Sequence, residues 1–162
     1  MGSLIVVAGM KRSGTTWIFN VVRLAMPGYL ICRDYHNVPA GDVILKTHWW
    51  TPALRGRARL VFSSWRDPEE VRESLIRFTG EEPPMSKLLK HYRRWDEEAN
   101  FRMDYRDLIG DPVGVVAEIL DVLGSDRNPG AVAAEVAALE PPVSGVDPTT
   151  LYHAGHFTGV FP

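Results

Sequence analysis

The sequence predicts an α/β fold in three layers, a central parallel β-sheet flanked by helices, and three observations predict it. Strand-like runs alternate with helical patterns along the 162 residues, the order that builds parallel sheets covered by helices. The first run, Leu4-Ile5-Val6-Val7-Ala8, is apolar at every position, as in a strand buried on both faces. A glycine-bearing loop, Gly9–Gly14, joins it directly to a helical pattern, and that junction is where open α/β sheets hold their ligands.

Each element follows from local signals. The first helical pattern runs from about Thr15 to Ala25, with Trp17, Ile18, Val21, Val22 and Ala25 on one side and Pro27-Gly28 as its stop. Val43-Ile44-Leu45 reads as a second strand and Arg59–Ser64 as a third. Asp67-Pro68-Glu69-Glu70 marks a helix start. Asp67 caps, Pro68 suits the first helical position, and Glu70 is expected to reach back and close a capping box. Val71, Leu75 and Phe78 recur at helical spacing before the break at 80–84.

A further helix spans about Ser86 to Asn100, with Leu88, Leu89, Tyr92 and Trp95 inward, and Phe101–Tyr105 reads as a fourth strand. Asp111-Pro112 repeats the cap-then-proline signal before a helix carrying Val115, Val116, Ile119, Leu120 and Leu123, closed by Gly124. Asn128-Pro129 opens a last helix that ends at Pro141-Pro142, and 143–162 shows little periodicity. With no linker or internal repeat, one domain over 1–162 is expected.

Composition narrows the function. A net charge of −2 excludes a global basic field of the kind that binds nucleic acid nonspecifically, so any anion site must be built locally. The single cysteine, Cys32, permits no intramolecular disulfide and no metal cluster, which fits a reducing cytoplasm. The apolar run at 4–8 is too short for a signal segment or a membrane span, and Val6 stands where a myristoylation signal needs Ser or Thr. A cytoplasmic protein without membrane attachment is the expectation.

The loop Gly9-Met10-Lys11-Arg12-Ser13-Gly14-Thr15-Thr16 lies between strand and helix. Glycines let backbone N–H groups turn inward, and the helix N-terminus adds positive potential, so the loop forms an anion cradle. Its glycines have Walker A spacing, but Thr15 occupies the position of the lysine that reaches the β- and γ-phosphates. The cations, Lys11 and Arg12, lie earlier. The fold is therefore P-loop-like, with a phosphate cradle not built for ATP. The bland alternative is a glycine turn leading into a helix.

Arg12-Ser13-Gly14-Thr15-Thr16-Trp17 resembles the [KR]-S-G-T-T-[WL] loop of sulfotransferases that use 3′-phosphoadenosine 5′-phosphosulfate (PAPS). Three further stretches appear in that family's order. Lys46-Thr47-His48 resembles its K-T-H motif. Arg66 and Ser74, eight positions apart, resemble its Arg…Ser pair, and Phe78 continues the match. Tyr105-Arg106-Asp107-Leu108, followed by Asp111-Pro112 and Leu123-Gly124, resembles its Y-E-D-L…DP…LG stretch. The resemblance covers roughly residues 4 to 124.

The resemblance implies a sulfotransferase that moves a sulfuryl group from PAPS to the hydroxyl of a small-molecule acceptor, releasing 3′-phosphoadenosine 5′-phosphate (PAP). It implies that Lys11, Arg12, Ser13, Gly14, Thr15, Thr16, Trp17, Arg66, Ser74 and Tyr105 bind the donor, Arg66 and Ser74 at the 3′-phosphate. His48 would be the general base, and no metal is implied. Sulfuryl transfer is an in-line displacement like phosphoryl transfer, so catalysis is mostly positioning and charge stabilisation. Arg12, with Lys46 as a second candidate, is expected to offset charge growing on the leaving 5′-phosphate. Histidine suits a base at neutral pH.

Each residue also has a structural reading. Ser13 can cap the first helix, Arg66 can be a surface cation and Ser74 a small flank residue. Trp49 and Trp50 line an acceptor pocket or pack in the core, and the basic run Lys87–Arg94 reads as a solvated helix face. The family's C-terminal R-K-G segment is absent; Phe157-Thr158 is the candidate remnant, with His153 or His156 as partial substitutes. The compact stretch Pro27–Asp42 predicts an open, shallow acceptor site. Two other functions remain: a P-loop kinase for a small metabolite, and a noncatalytic PAP-binding module that would not need His48.

Overall fold

The computed structural model describes residues 2–154. Five strands, β1 (Leu4–Gly9), β2 (Leu30–Cys32), β3 (Val43–Lys46), β4 (Ala58–Trp65) and β5 (Phe101–Asp104), form one sheet in the order β2-β3-β1-β4-β5. Every pairing is parallel, with Val7 beside Lys46 on one flank and Gly9 beside Ser64 on the other. The chain order reverses about β1. That is the switch point where such sheets open a crevice beyond their strand ends.

Among the described residues, seven helices cover the sheet: α1 (Thr15–Ala25), α2 (Pro52–Arg57), α3 (Pro68–Thr79), α4 (Met85–Asp96), α5 (Tyr105–Gly110), α6 (Pro112–Leu123) and α7 (Pro129–Ala137). Strand alternation decides which layer each residue joins. Ile5 and Val7 of β1, with Ile44 and Phe62, pack against Ile18, Phe19 and Val22 of α1 and against Val116, Ile119, Val132 and Val136 of α6 and α7. Leu4, Val6 and Ala8 face the other way, onto Leu54 of α2 and the fully buried Trp95 of α4. Because both faces of β1 are covered, the uninterrupted apolar run is what the fold requires.

Helix starts obey the capping signals. Asn128 accepts from Ala131 N, Asp111 from Gly114 N at 2.9 Å, and Asp67 from Glu69 N and Glu70 N. The expected capping box at α3 does not close, because the Glu70 carboxylate accepts instead from Arg66 Nε at 2.9 Å. The sequence reading also missed β2, α2 and α5, and it ran α4 to Asn100 and α7 to Pro141 where they stop at Asp96 and Ala137. Among the described residues, no helix is long and apolar enough to cross a membrane.

Candidate active site

The carboxyl ends of β1, β3, β4 and β5 deliver Gly9, Lys46, Trp65 and Asp104 to one edge of the sheet. Residues just beyond them line one cavity of about 920 Å³, large for a small-molecule site. Lys11, Arg12, Gly14, Thr15, Thr16, Trp17, Lys46, His48, Arg66 and Tyr105 all stand on its wall. Of the residues expected to bind the donor, Ser13 and Ser74 do not. They lie buried behind it.

The loop is held by its own hydroxyls. Ser13 Oγ donates to Met10 O at 2.6 Å and lies 2.7 Å from Ser64 Oγ, while Thr15 Oγ1 donates to Met10 O at 3.1 Å. These side chains were expected to face the ligand; they turn inward and fix the loop against β4, leaving backbone N–H groups for an anion. Two glycines are needed for that approach. A Cβ on Gly9 (φ 143°) would stand 2.3 Å from Ser64 Oγ, and one on Gly14 (φ 89°) would stand 2.7 Å from the Met103 methyl. Arg12 adopts a left-handed φ of 63°, a conformation non-glycine residues rarely take and one often stored at functional sites.

Two cationic poles flank the loop. The first lies on the β3 side. His48 Nδ1 is 2.9 Å from the Gly9 carbonyl oxygen. Burial, then the Lys46 ammonium, push the His48 pKa down to about 3, against the opposing effect of that hydrogen bond. Burial, then Lys11, push Lys46 down to about 8. His48 nonetheless keeps surface open to the cavity. Among the described residues, no carboxylate is among the groups acting on either residue.

The second pole lies on the β4 side. Arg12 Nε donates to Ser74 Oγ at 3.1 Å, and its guanidinium stands 5.2 Å from the centre of the Phe78 ring. Arg66 donates from a terminal nitrogen to Arg12 O at 3.2 Å, stacks 4.2 Å over the Tyr105 ring and pairs with Glu70. Burial, and more weakly Arg66, lower the Arg12 pKa, with Tyr105 opposing. Arg12 was expected at the leaving 5′-phosphate, with Lys46 as the second candidate; its side chain reaches instead to Ser74 and Phe78, among the second pole.

The remaining wall was not legible in the sequence. Ile109 of α5, Val113 of α6, Ala133 and Ala137 of α7, and Leu151 with Tyr152 give the cavity an apolar end. Asn20 Nδ2 donates to Thr150 O at 2.9 Å and ties that last segment to α1. His153 stacks on Phe78 at 4.8 Å, beside Arg12; Phe157, Thr158 and His156 lie outside the described residues. Trp49 and Trp50 do not line the cavity. Trp49 packs edge-on to His91 of α4, and Trp50 joins the layer of Trp95.

No family model and no curated protein matches the chain. Solved structures do. A mouse sulfotransferase, SULT7A1, complexed with PAP aligns over 92% of this chain and 72% of its own at 16% identity, with a TM-score of 0.65. Retinol dehydratase with androsterone and inactive cofactor PAP aligns over 82% of this chain at 15% identity, with a TM-score of 0.58. Its complex with retinol and PAP gives 0.54 at 16% identity. The chain spans 63% of the length of retinol dehydratase. Its five-stranded parallel sheet and flanking helices are the P-loop-like α/β fold shared with these PAP-bound structures.

Proposed function

We propose that the protein is a PAPS-dependent sulfotransferase acting on a hydroxyl of a small molecule. The observation that carries this reading is the division of the cations into two poles on opposite flanks of β1, within one cavity. A nucleotide with separated 3′- and 5′-phosphate groups presents two anionic ends joined by a ribose. A triphosphate presents one contiguous chain. Two like-charged guanidiniums, Arg12 and Arg66, held together in a half-buried site are relieved by a dianion between them.

In this reading the Gly9–Thr16 backbone, Lys11 and Lys46 hold the 5′-phosphosulfate. Arg12 and Arg66 hold the 3′-phosphate, with Ser74 orienting Arg12 and His153 packing beside it through Phe78. Trp17, Tyr105 and the apolar end of the cavity receive the adenosine. As the acceptor oxygen attacks sulfur, its proton passes to His48, and the S–O bond to the 5′-phosphate breaks. Lys46 offsets the charge left on that phosphate. The kinase alternative is disfavoured because Thr15 replaces the phosphate lysine and its hydroxyl is spent on Met10 O.

The test is transfer of labelled sulfuryl from PAPS to a panel of alcohols and phenols, with Mg²⁺-ATP as the competing donor. Sulfated product without added Mg²⁺ is the expected result. Phosphorylated product from ATP, with none from PAPS, would overturn the reading.

A further inference from the structure

We infer that the Gly9 carbonyl positions His48 as its Nδ1–H tautomer, leaving Nε2 as the proton acceptor, and that an anionic donor seated on Lys11 and Lys46 arms that nitrogen. The inference rests on the sulfuryl-transfer reading for the donor's identity, but its first half stands on geometry alone. A carbonyl oxygen can only accept a hydrogen bond. The 2.9 Å contact therefore requires a proton on Nδ1. In a neutral ring the lone pair is then on Nε2.

The ring is neutral first because it is buried and then because its charged neighbours are cations. The charged groups acting on it, Lys46 at the end of β3 and Lys11 in the loop, are both cations. The other titratable groups on the wall are Arg12, Arg66, Tyr105, Tyr152 and His153, and none of them is a carboxylate. Burial and these cations hold the ring's pKa near 3, so it would be a feeble base at neutral pH. A phosphosulfate on Lys11 and Lys46 reverses the field. Its negative charge cancels the ammoniums and favours the imidazolium.

The step then balances. The acceptor O–H gives its proton to Nε2, and Nδ1–H keeps its bond to Gly9 O. The acceptor oxygen forms its bond to sulfur, and the leaving phosphate oxygen takes the S–O electron pair. Proton removal is thereby tied to donor occupancy. An acceptor entering first meets an unarmed base.

The experiment is ¹⁵N–¹H NMR of the His48 ring in the full chain, its signals assigned with His48→Gln. In the free protein the Nδ1–H pattern is expected, unchanged from about pH 8 to about pH 5. With PAP bound, the titration midpoint should rise into that range, a gain in proton affinity well beyond tenfold. Lys46→Gln, which removes a cation without any ligand, should also raise the midpoint. An Nε2–H pattern in the free protein overturns the inference, as does a midpoint unmoved both in Lys46→Gln and by calorimetrically verified PAP. Failure of PAP to bind, with the midpoint still raised in Lys46→Gln, overturns the donor assignment but upholds the tautomer and its electrostatic control.

Discussion

The two poles of the cavity carry the same sign of charge and are built in opposite ways. At the β4 side, Arg12 and Arg66 have partners: Ser74, Phe78, Tyr105, Glu70 and a loop carbonyl. At the β3 side, Lys46 and His48 face further cations, and burial works against the charged form of both. A partnered arginine keeps its charge and geometry whether or not an anion is present, which suits a grip. A depressed lysine and histidine have their energies changed sharply by an arriving anion, which suits chemistry. In the proposed function, this contrast separates binding from turnover.

The largest effect that tests this contrast is on turnover. His48→Ala should lower kcat for sulfuryl transfer by about 10²–10⁴-fold with little change in the affinity for PAP, read from steady-state rates and calorimetry together. The converse holds at the other pole. Arg66→Ala should weaken PAP binding by about 10–10²-fold and raise the KM for donor more than it lowers kcat. An equal kcat loss in both variants would erase the distinction between poles.

Stability gives a smaller signal of opposite sign. Lys46→Met removes a half-buried ammonium set against another cation. It should abolish transfer yet stabilise the free protein by about 1–2 kcal/mol, discounted for screening. Thermal denaturation without ligand measures it. Loss of stability would mean that Lys46 has a compensating partner.

The last expected effect is a pH slope. His48 binds its proton less tightly in the fold, at about 3, than in the unfolded chain, at 6.5. Unfolding therefore takes up a proton as pH falls between those values. Stability should decline there and be independent of this group above about 6.5. His48→Gln should flatten that part of the profile in acid denaturation followed by circular dichroism.

How much of this was legible in the sequence follows from what each feature depends on. β1, α1, β4 and α6 were readable because their patterns and caps are local: an apolar run, a 3.6 period, a cap followed by Pro. β2 has three residues at a sheet edge with Leu30 exposed, too few to show a period. α2 and α5 have six residues each. Their caps, Thr51 before Pro52 and Asp104 before Tyr105, were the available signals.

At the site, Lys46, His48 and Arg66 were locatable because their stretches resemble the family's motifs and fall at or just beyond strand ends, where parallel sheets gather their functional groups. The inward turn of Ser13 and Thr15 was not, since it depends on Ser64 arriving from β4 in register with Gly9. The reach of Arg12 to Ser74 and the α7 wall are likewise tertiary: the partners are 62 residues apart for Arg12, and Ala133 and Ala137 give no chemical signal in sequence. Trp49 and Trp50 were undecidable for the same reason, because α4 decides their surroundings.

The central claim is that the cavity recognises a nucleotide with separated 3′- and 5′-phosphates. Isothermal titration calorimetry of the full chain with PAP, 5′-AMP and ATP tests it most directly. PAP should bind at least about tenfold more tightly than 5′-AMP, the difference shrinking in Arg66→Ala, with ATP weaker than PAP. ATP binding more tightly than PAP, or PAP and 5′-AMP binding alike, would contradict it.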